Sequence, residues 1–199
     1  MTADHLDGLA RVGLEPEIWR WGIVPLATRA DMQTYVEQAL DEWRRGVSLP
    51  FVIVALPEGE VAGSTRYGNI DLPNRRLEIG WTWLGLRYQR TRINTETKLL
   101  LLTHAFGGLG MHRVELKTDA LNQKSRAAIL RIGAVEEGTF RKHIVTASGR
   151  VRDSVYYSIL DTEWPARKER LERWLAPENF DAAGRQRTAL SASGYQGQA

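Results

Sequence analysis

Apolar and polar positions recur with two different periods along the chain, and the changes of period mark out its elements. From Arg29 to Arg45 the apolar residues Met32, Val36, Ala39, Leu40 and Trp43 fall near helical spacing, so an amphipathic helix closed by Gly46 is expected. Before it, Ile18-Trp-Arg-Trp-Gly-Ile-Val-Pro puts Trp19 and Trp21 two apart and reads as a strand. Phe51-Val-Ile-Val-Ala and Val61-Ala-Gly-Ser-Thr-Arg-Tyr flank the turn Leu56-Pro-Glu-Gly-Glu and predict a β-hairpin. A further strand follows, in which strict alternation places Leu77, Ile79, Trp81 and Trp83 on one face and Glu78, Gly80, Thr82 and Leu84 on the other. Because large aromatics at strand spacing are mostly core, Trp81 and Trp83 are both expected inside.

The second half alternates helix and strand. Asn94 to about Phe106 carries the stripe Leu99, Leu100, Leu102 and Phe106 and stops at Gly107-Gly108. The strand His112 to Thr118 precedes a helix from Asn122, a good N-cap, to Ile132, with Gly133 past its end. Ala134 to His143 and Val151 to Ile159 form a second hairpin around Ala147-Ser-Gly-Arg, and a basic helix runs from Trp164 to Leu175. The order β-α-β-β-β-α-β-α-β-β-α is that of an α/β (α+β mixed) fold, one domain over residues 1–175. From 176 to 199, 14 of 24 residues are Ala, Gly, Ser or Gln without apolar periodicity, which reads as a flexible C-terminal tail.

Composition narrows the chemistry. The 199 residues include no cysteine, so neither a thiolate nucleophile nor a structural disulfide is available. The histidines His5, His104, His112 and His143 are scattered and lack the spacing that places two ligands on one helix face, so no metal site is expected. The N-terminus has no basic and apolar signal pattern and no apolar run approaches membrane length, so a cytoplasmic protein with no membrane partner is the default expectation. The net charge of +3, without a long basic tract, suits an anionic small ligand better than nucleic acid.

An address for such an anion lies at Arg87-Tyr-Gln-Arg-Thr-Arg-Ile-Asn-Thr-Glu, between a strand end and a helix start. The N–H groups of a helix N-terminus lack intrahelical partners and face the positive end of the helix dipole. Arg87, Arg90 and Arg92 add guanidinium forks that match phosphate, so a pyrophosphate-bearing ligand is one reading. A solvated basic loop, with Asn94 or Thr95 capping the helix, is the other.

The element order, the Gln89-Arg-Thr-Arg-Ile-Asn loop, the Asn122-Gln-Lys-Ser helix start and the Ile132-Gly133 helix stop resemble the GCN5-related N-acetyltransferases (GNAT), and within them the RimJ/RimL-like branch, over about residues 14 to 165. The resemblance implies a GNAT-like splayed, mixed but mostly antiparallel sheet of about seven strands flanked by helices. It also implies acetyl-CoA as co-substrate and transfer to a primary amine, with a protein N-terminal α-amine as one acceptor class. Small-molecule amines, or an inactive acyl-CoA-binding regulatory role, are the alternatives. It assigns CoA contacts to Trp83 and Leu84 on the strand, to Gln89, Arg90, Thr91, Arg92, Ile93, Asn94 and Thr95 in the loop, and to Asn122. Arg92 and Asn94 depart from the family pattern, standing where small residues usually occur, and Ile129 stands where many relatives carry a tyrosine general acid. Glu78 is the preferred base, with pairing to Arg66, Arg75 or Arg76 as its structural alternative, and Ser125 is the general-acid candidate. Tyr156 and Tyr157 are further hydroxyls, one of them expected in the core. The closing helix and the edge hairpin also leave room for a homodimer.

Overall fold

The computed structural model describes residues 1–56, 58–181, 186–188 and 190. Six strands form one sheet in the order β1-β2-β3-β4-β6-β5: β1 Leu49–Ala55, β2 Glu60–Asp71, β3 Arg76–Leu84, β4 Arg113–Asp119, β5 Val135–Val145 and β6 Val151–Leu160. Every neighbouring pair is antiparallel except β3 and β4. Helices α1 Leu6–Gly13 and α2 Arg29–Arg44 cover one face at the β1–β3 end, while α3 Ile93–Thr103, α4 Gln123–Arg131 and α5 Trp164–Leu175 belong to the other. The mixed α/β class and the flanking helices are as the periodicity indicates.

Local chemistry accounts for the helix boundaries. Thr28 Oγ1 accepts from Asp31 N–H at 3.2 Å while Asp31 Oδ2 accepts from Thr28 N–H at 2.8 Å, a reciprocal capping box that starts α2. Asn122 Oδ1 accepts from Ser125 N–H at 3.1 Å and caps α4, which ends at Gly133 in a left-handed conformation (φ +93°). The larger core lies between β3, β4 and β6 and helices α3–α5, where Leu77, Ile79, Leu116, Tyr157, Leu102 and Leu171 meet. The smaller one joins Leu9 and Met32 to Trp83. A Cβ on Gly13 would come within 2.6 Å of the Trp83 ring, so glycine lets α1 lie flat against β3.

Three sequence expectations change. The first expected strand, Ile18 to Pro25, does not form, so the sheet has six strands rather than seven. Pro16 instead opens a 3-10 turn over Pro16–Trp19, and Trp19 Nε1 donates to the Gly13 carbonyl at 2.7 Å, turning Trp19 back onto α1, while Trp21 lies beside Arg150. Helix α1, which the periodicity does not indicate, supplies the surface that receives Trp19. The third change concerns residues 176–199. Part of that stretch lies outside the described residues, but Pro177–Asn179 form a turn, Asn179 Oδ1 accepts from Thr188 N–H at 2.9 Å, and Leu190 packs into the larger core.

Candidate active site

Strands β3 and β4 pair over only three residues each, Arg76–Glu78 against Arg113–Glu115. Beyond Glu78 and Glu115 they diverge into a V, so the facing backbone edges of Gly80–Leu84 and Lys117–Asp119 have no strand partner. Such open edges can receive an extended ligand by main-chain hydrogen bonding.

A β-bulge shapes one arm of the V. Arg66 pairs with Gly80 and Ser64 with Trp83, so Trp81 and Thr82 together oppose Thr65. Trp81 adopts φ +51°, a left-handed conformation costing about 1–2 kcal/mol for a non-glycine residue. The extra residue reverses the strand's alternation. Ile79 therefore stays in the larger core while Trp83, 7% exposed, joins α1 and α2 on the opposite face. Trp81, expected in the core, is 42% exposed, and its ring lies over Gly68, where a Cβ would come within 2.3 Å.

Glu78 sits in the crotch of the V and is only 2% exposed. Its Oε2 accepts from Asn69 Nδ2 at 2.7 Å and pairs with Lys117 Nζ at 2.9 Å. Asn69 reaches it from an irregularity in β2, where the asparagine itself has φ +48°. The other oxygen, Oε1, lies over Gly80, at which a Cβ would come within 2.6 Å, so glycine there makes room for the carboxylate. The pairing with Arg66, Arg75 or Arg76 considered from sequence does not occur: Arg66 pairs with Glu42 at 2.9 Å, and Arg76 with Asp71 and Glu115. Lys117 gave no sequence signal of its own beyond its alternation in β4. Its ammonium lies 6.0 Å from the Trp81 ring centroid and 5.7 Å from that of Tyr156. Tyr157 is the core member of the tyrosine pair, and Tyr156 faces the same side as Lys117.

Behind the bulge lies a second charge that the sequence reading did not single out. Lys98, on the buried side of α3 and 5% exposed, donates from Nζ to Thr82 Oγ1 at 2.7 Å. Thr82 Oγ1 lies 2.8 Å from Thr65 Oγ1, which reaches the Gly80 carbonyl at 3.3 Å, so polar contacts cross the bulge. Burial pushes the Lys98 amine down to about 7, against a smaller attraction from Glu78.

At the wide end of the V, the Gln89–Asn94 loop leads into α3. Gln89 Nε2 donates to the Leu84 carbonyl at 3.1 Å and Thr91 Oγ1 to the Tyr88 carbonyl at 2.7 Å, fixing the loop to the strand. Arg92 occupies the N-cap position with Ile93 first in the helix, so neither Asn94 nor Thr95 is the cap. Ile93 N–H reaches Thr91 Oγ1 at 3.3 Å, and Glu96 N–H bonds the Arg92 carbonyl at 2.9 Å. The intervening Asn94 and Thr95 N–H groups lie in the open first turn. Thr95 Oγ1 is buried without a partner.

The three arginines do not converge. Arg87 pairs with Glu60 and Tyr88, and Arg92 lies 3.9 Å from Glu96 and 5.8 Å from the Phe180 ring, whereas Arg90, at φ +62°, forms no ion pair among the described residues. Across the V, Asn122 and Ser125 open α4, with Ser125 half-buried. The segment between α1 and α2 bridges the two sides: Ile23 accepts from Ala147 N–H at 2.9 Å, Arg150 lies 5.6 Å from the Trp21 ring, and Glu17 pairs with Lys124 at 3.7 Å.

A family model described as the acetyltransferase (GNAT) domain matches residues 1–135. The chain belongs to the GNAT family of N-acetyltransferases. YdaF of Bacillus subtilis (strain 168), provisionally named a ribosomal N-acetyltransferase, is 36% identical over 68% of this chain and 74% of its own length. A crystal structure of a GCN5-related N-acetyltransferase from Brucella melitensis superposes with a TM-score of 0.88 at 36% identity, covering 94% of this chain and 85% of that one. A crystal structure from T. thermophilus, provisionally named an acetyltransferase, gives 0.80 at 33% identity over 88% and 91% of the two chains. The splayed β3–β4 pair is thus the part of this GNAT fold that holds Glu78 with Asn69 and Lys117. Among the described residues, no helix is long and apolar enough to cross a membrane.

Proposed function

We propose that the protein transfers an acetyl group directly from acetyl-CoA to a primary amine, with a protein N-terminal α-amine as the acceptor class. The observation that carries this reading is the placement of Glu78: a buried carboxylate where β3 and β4 separate, with one oxygen held by Asn69 and Lys117 and the other over Gly80.

The residues fit acetyl-CoA in three places. The open first turn of α3 offers the Asn94 and Thr95 N–H groups to a pyrophosphate, with Arg90, which forms no ion pair among the described residues, as the guanidinium of the loop. The Gln89–Thr95 loop wraps that group, with Thr91 and Ile93 contributing backbone and Arg92 turned toward Glu96. The unpartnered edge from Trp81 to Leu84, including Trp83, offers main-chain groups to a pantetheine arm, and Asn122, whose N–H bonds the Asp119 carbonyl at 3.0 Å, is the contact expected from the β4 side.

Acetyl-CoA supplies the activated acyl group, and the side chains manage protons. Glu78 accepts a proton from the bound ammonium, directly or through one water, because only a neutral amine has the lone pair for attack. As the C–N bond forms and the C–S bond breaks, Ser125, in the first turn of α4, delivers a proton to the departing sulfur in this reading. With no cysteine in the chain, direct transfer needs no acyl-cysteine step. An α-amine, near pKa 8, asks less of a carboxylate already paired with Lys117 than a lysine near 10.4 does. The provisional ribosomal name of YdaF and the RimJ/RimL-like motifs support the same acceptor class.

The test is thiol release from acetyl-CoA with a panel of N-terminal peptides, polyamines and amino acids, comparing wild type with Glu78→Gln. Turnover on peptide α-amines that falls about 100-fold or more in Glu78→Gln, with the KM for acetyl-CoA retained, is expected. Acetyl-CoA binding with no thiol release on any amine would overturn the catalytic reading.

A further inference from the structure

Lys117 occupies the place that an acceptor ammonium would need. Its Nζ is 2.9 Å from Glu78 Oε2, it lies between the Trp81 and Tyr156 rings, and its side chain is 20% exposed. Its backbone belongs to the arm of β4 just beyond the last residue paired with β3, Glu115. A second amine entering to reach Glu78 from this side meets a nitrogen already there. The chain's other lysines are placed differently: Lys98 is sealed behind Thr82, while Lys124, Lys142 and Lys168 lie at the start of α4, on the edge strand β5 and on α5.

We propose that Lys117 is itself an acetyl acceptor, so that the protein acetylates its own β4 lysine when no external amine is bound. The inference rests on the acetyl-CoA-dependent reading above. The Lys117 ammonium passes one proton to Glu78. The neutral nitrogen then attacks the thioester carbonyl carbon, the C–N bond forms, and the C–S bond breaks with its electron pair going to sulfur. The second proton lost by nitrogen ends on that thiolate, giving CoA thiol and an Nε-acetyl-lysine amide. An ordinary lysine amine is neutral in only about 1 in 2,500 molecules at pH 7. Tethering beside the reacting carbon offsets this, since well-oriented intramolecular reactions reach effective concentrations of about 10⁵ M. The product is uncharged, so acetylation removes the cation from Glu78 Oε2 and leaves Asn69 as that oxygen's remaining partner. Lys117 is thereby a self-modification site that changes the charge state of the groove.

The experiment incubates the full chain with acetyl-CoA and no added amine, then maps acetylated lysines by peptide mass spectrometry over time. The expected result is acetyl incorporation at Lys117 at least about 100-fold faster than at Lys124, Lys142 or Lys168. That incorporation is abolished in Lys117→Arg, which retains a cation for Glu78, and slowed at least about tenfold in Glu78→Gln. Uniform labelling of the exposed lysines, or an unmodified Lys117 in protein that turns over peptide amines, overturns the inference and leaves the acetyltransferase reading standing. Protein that neither binds acetyl-CoA nor releases thiol with any amine overturns both.

Discussion

Replacing Lys98 with methionine tests whether a charge is held behind the β3 bulge. Lys98 is 5% exposed, Thr82 Oγ1 is its hydrogen-bond acceptor at 2.7 Å, and burial lowers the amine from 10.5 to about 7, with Glu78 as the opposing attraction. Below pH 7 the folded and unfolded chains both carry the proton, so Lys98 adds no slope to stability. Between pH 7 and about 10.5 the unfolded chain keeps a proton that the folded chain has released, and stability rises with pH by about 1.4 kcal/mol per pH unit. Over the whole window this amounts to about 5 kcal/mol. Methionine of similar length removes the titration. The stability of wild type relative to Lys98→Met should therefore rise by about 3 kcal/mol between pH 7 and 9, with the variant favoured most on the acid side. Urea unfolding midpoints of both proteins at pH 6, 7, 8 and 9 measure this, and groups common to both cancel in the difference. A difference constant within about 0.5 kcal/mol over that range would refute a buried, depressed amine at this position.

Other expected outcomes concern the site. Gly80→Ala puts a Cβ within 2.6 Å of Glu78 Oε1, so kcat should fall about 10- to 100-fold with the KM for acetyl-CoA nearly unchanged; an unaltered kcat would show that the carboxylate's position does not govern the rate. Arg90→Ala should raise the KM for acetyl-CoA about five- to tenfold and weaken its salt dependence. Arg92→Ala, which gives up contacts to Glu96 and Phe180, should change that KM less than about twofold, and the opposite ranking in steady-state kinetics would reassign the phosphate contact. Trp21→Ala removes the ring beside Arg150 and should raise the KM for a peptide acceptor about two- to fivefold while sparing that for acetyl-CoA; equal effects on both would place the bridging segment elsewhere in the reaction.

Sequence periodicity, together with turn residues, located α2, the six strands, α3, α4 and α5, although a bulge interrupts the alternation of β3. It failed at Ile18–Pro25, where Trp19 and Trp21 have strand spacing but Trp19 is used locally, its indole bonded to Gly13 and packed at 5.5 Å from the Trp83 ring. Nothing in a period-2 pattern distinguishes a strand from aromatics folded back on a preceding helix. The Gln89–Asn94 loop was recognisable as a strand-to-helix joint, but the destinations of its arginines were not. Glu60 and Phe180, distant in sequence, take up Arg87 and Arg92, so the three like charges never gather.

The bulge in β3 explains why the interior of the site was harder to read than its frame. Strict alternation places Trp81 and Trp83 together, and one inserted residue separates them: Trp83 anchors α1 and α2, while Trp81 turns out beside Lys117. Composition hints at such a break only through Gly80, and the glycine's decisive contact, with Glu78 two residues earlier, is tertiary. Glu78 was legible as the candidate base but its burial was not, and Lys98 was concealed altogether, because a charged position in an amphipathic pattern reads as solvent-facing, yet both are buried on either side of the bulge. Well-packed apolar side chains of similar volume would often be as stable as buried charges or more so. A carboxylate in the crotch of the V and an amine on α3 behind its β3 arm therefore make sense as chemistry rather than as stabilisation, and the local strain at Trp81 belongs to the same account. Deleting Trp81 would remove the bulge while leaving Gly80 opposite Arg66 and Trp83 opposite Ser64, so Trp83 would keep its face against α1 and α2. Activity should then fall, because the ring beside Lys117 is gone, while urea unfolding shows the smaller core around Trp83 retained; loss of both together would refute this account of the bulge.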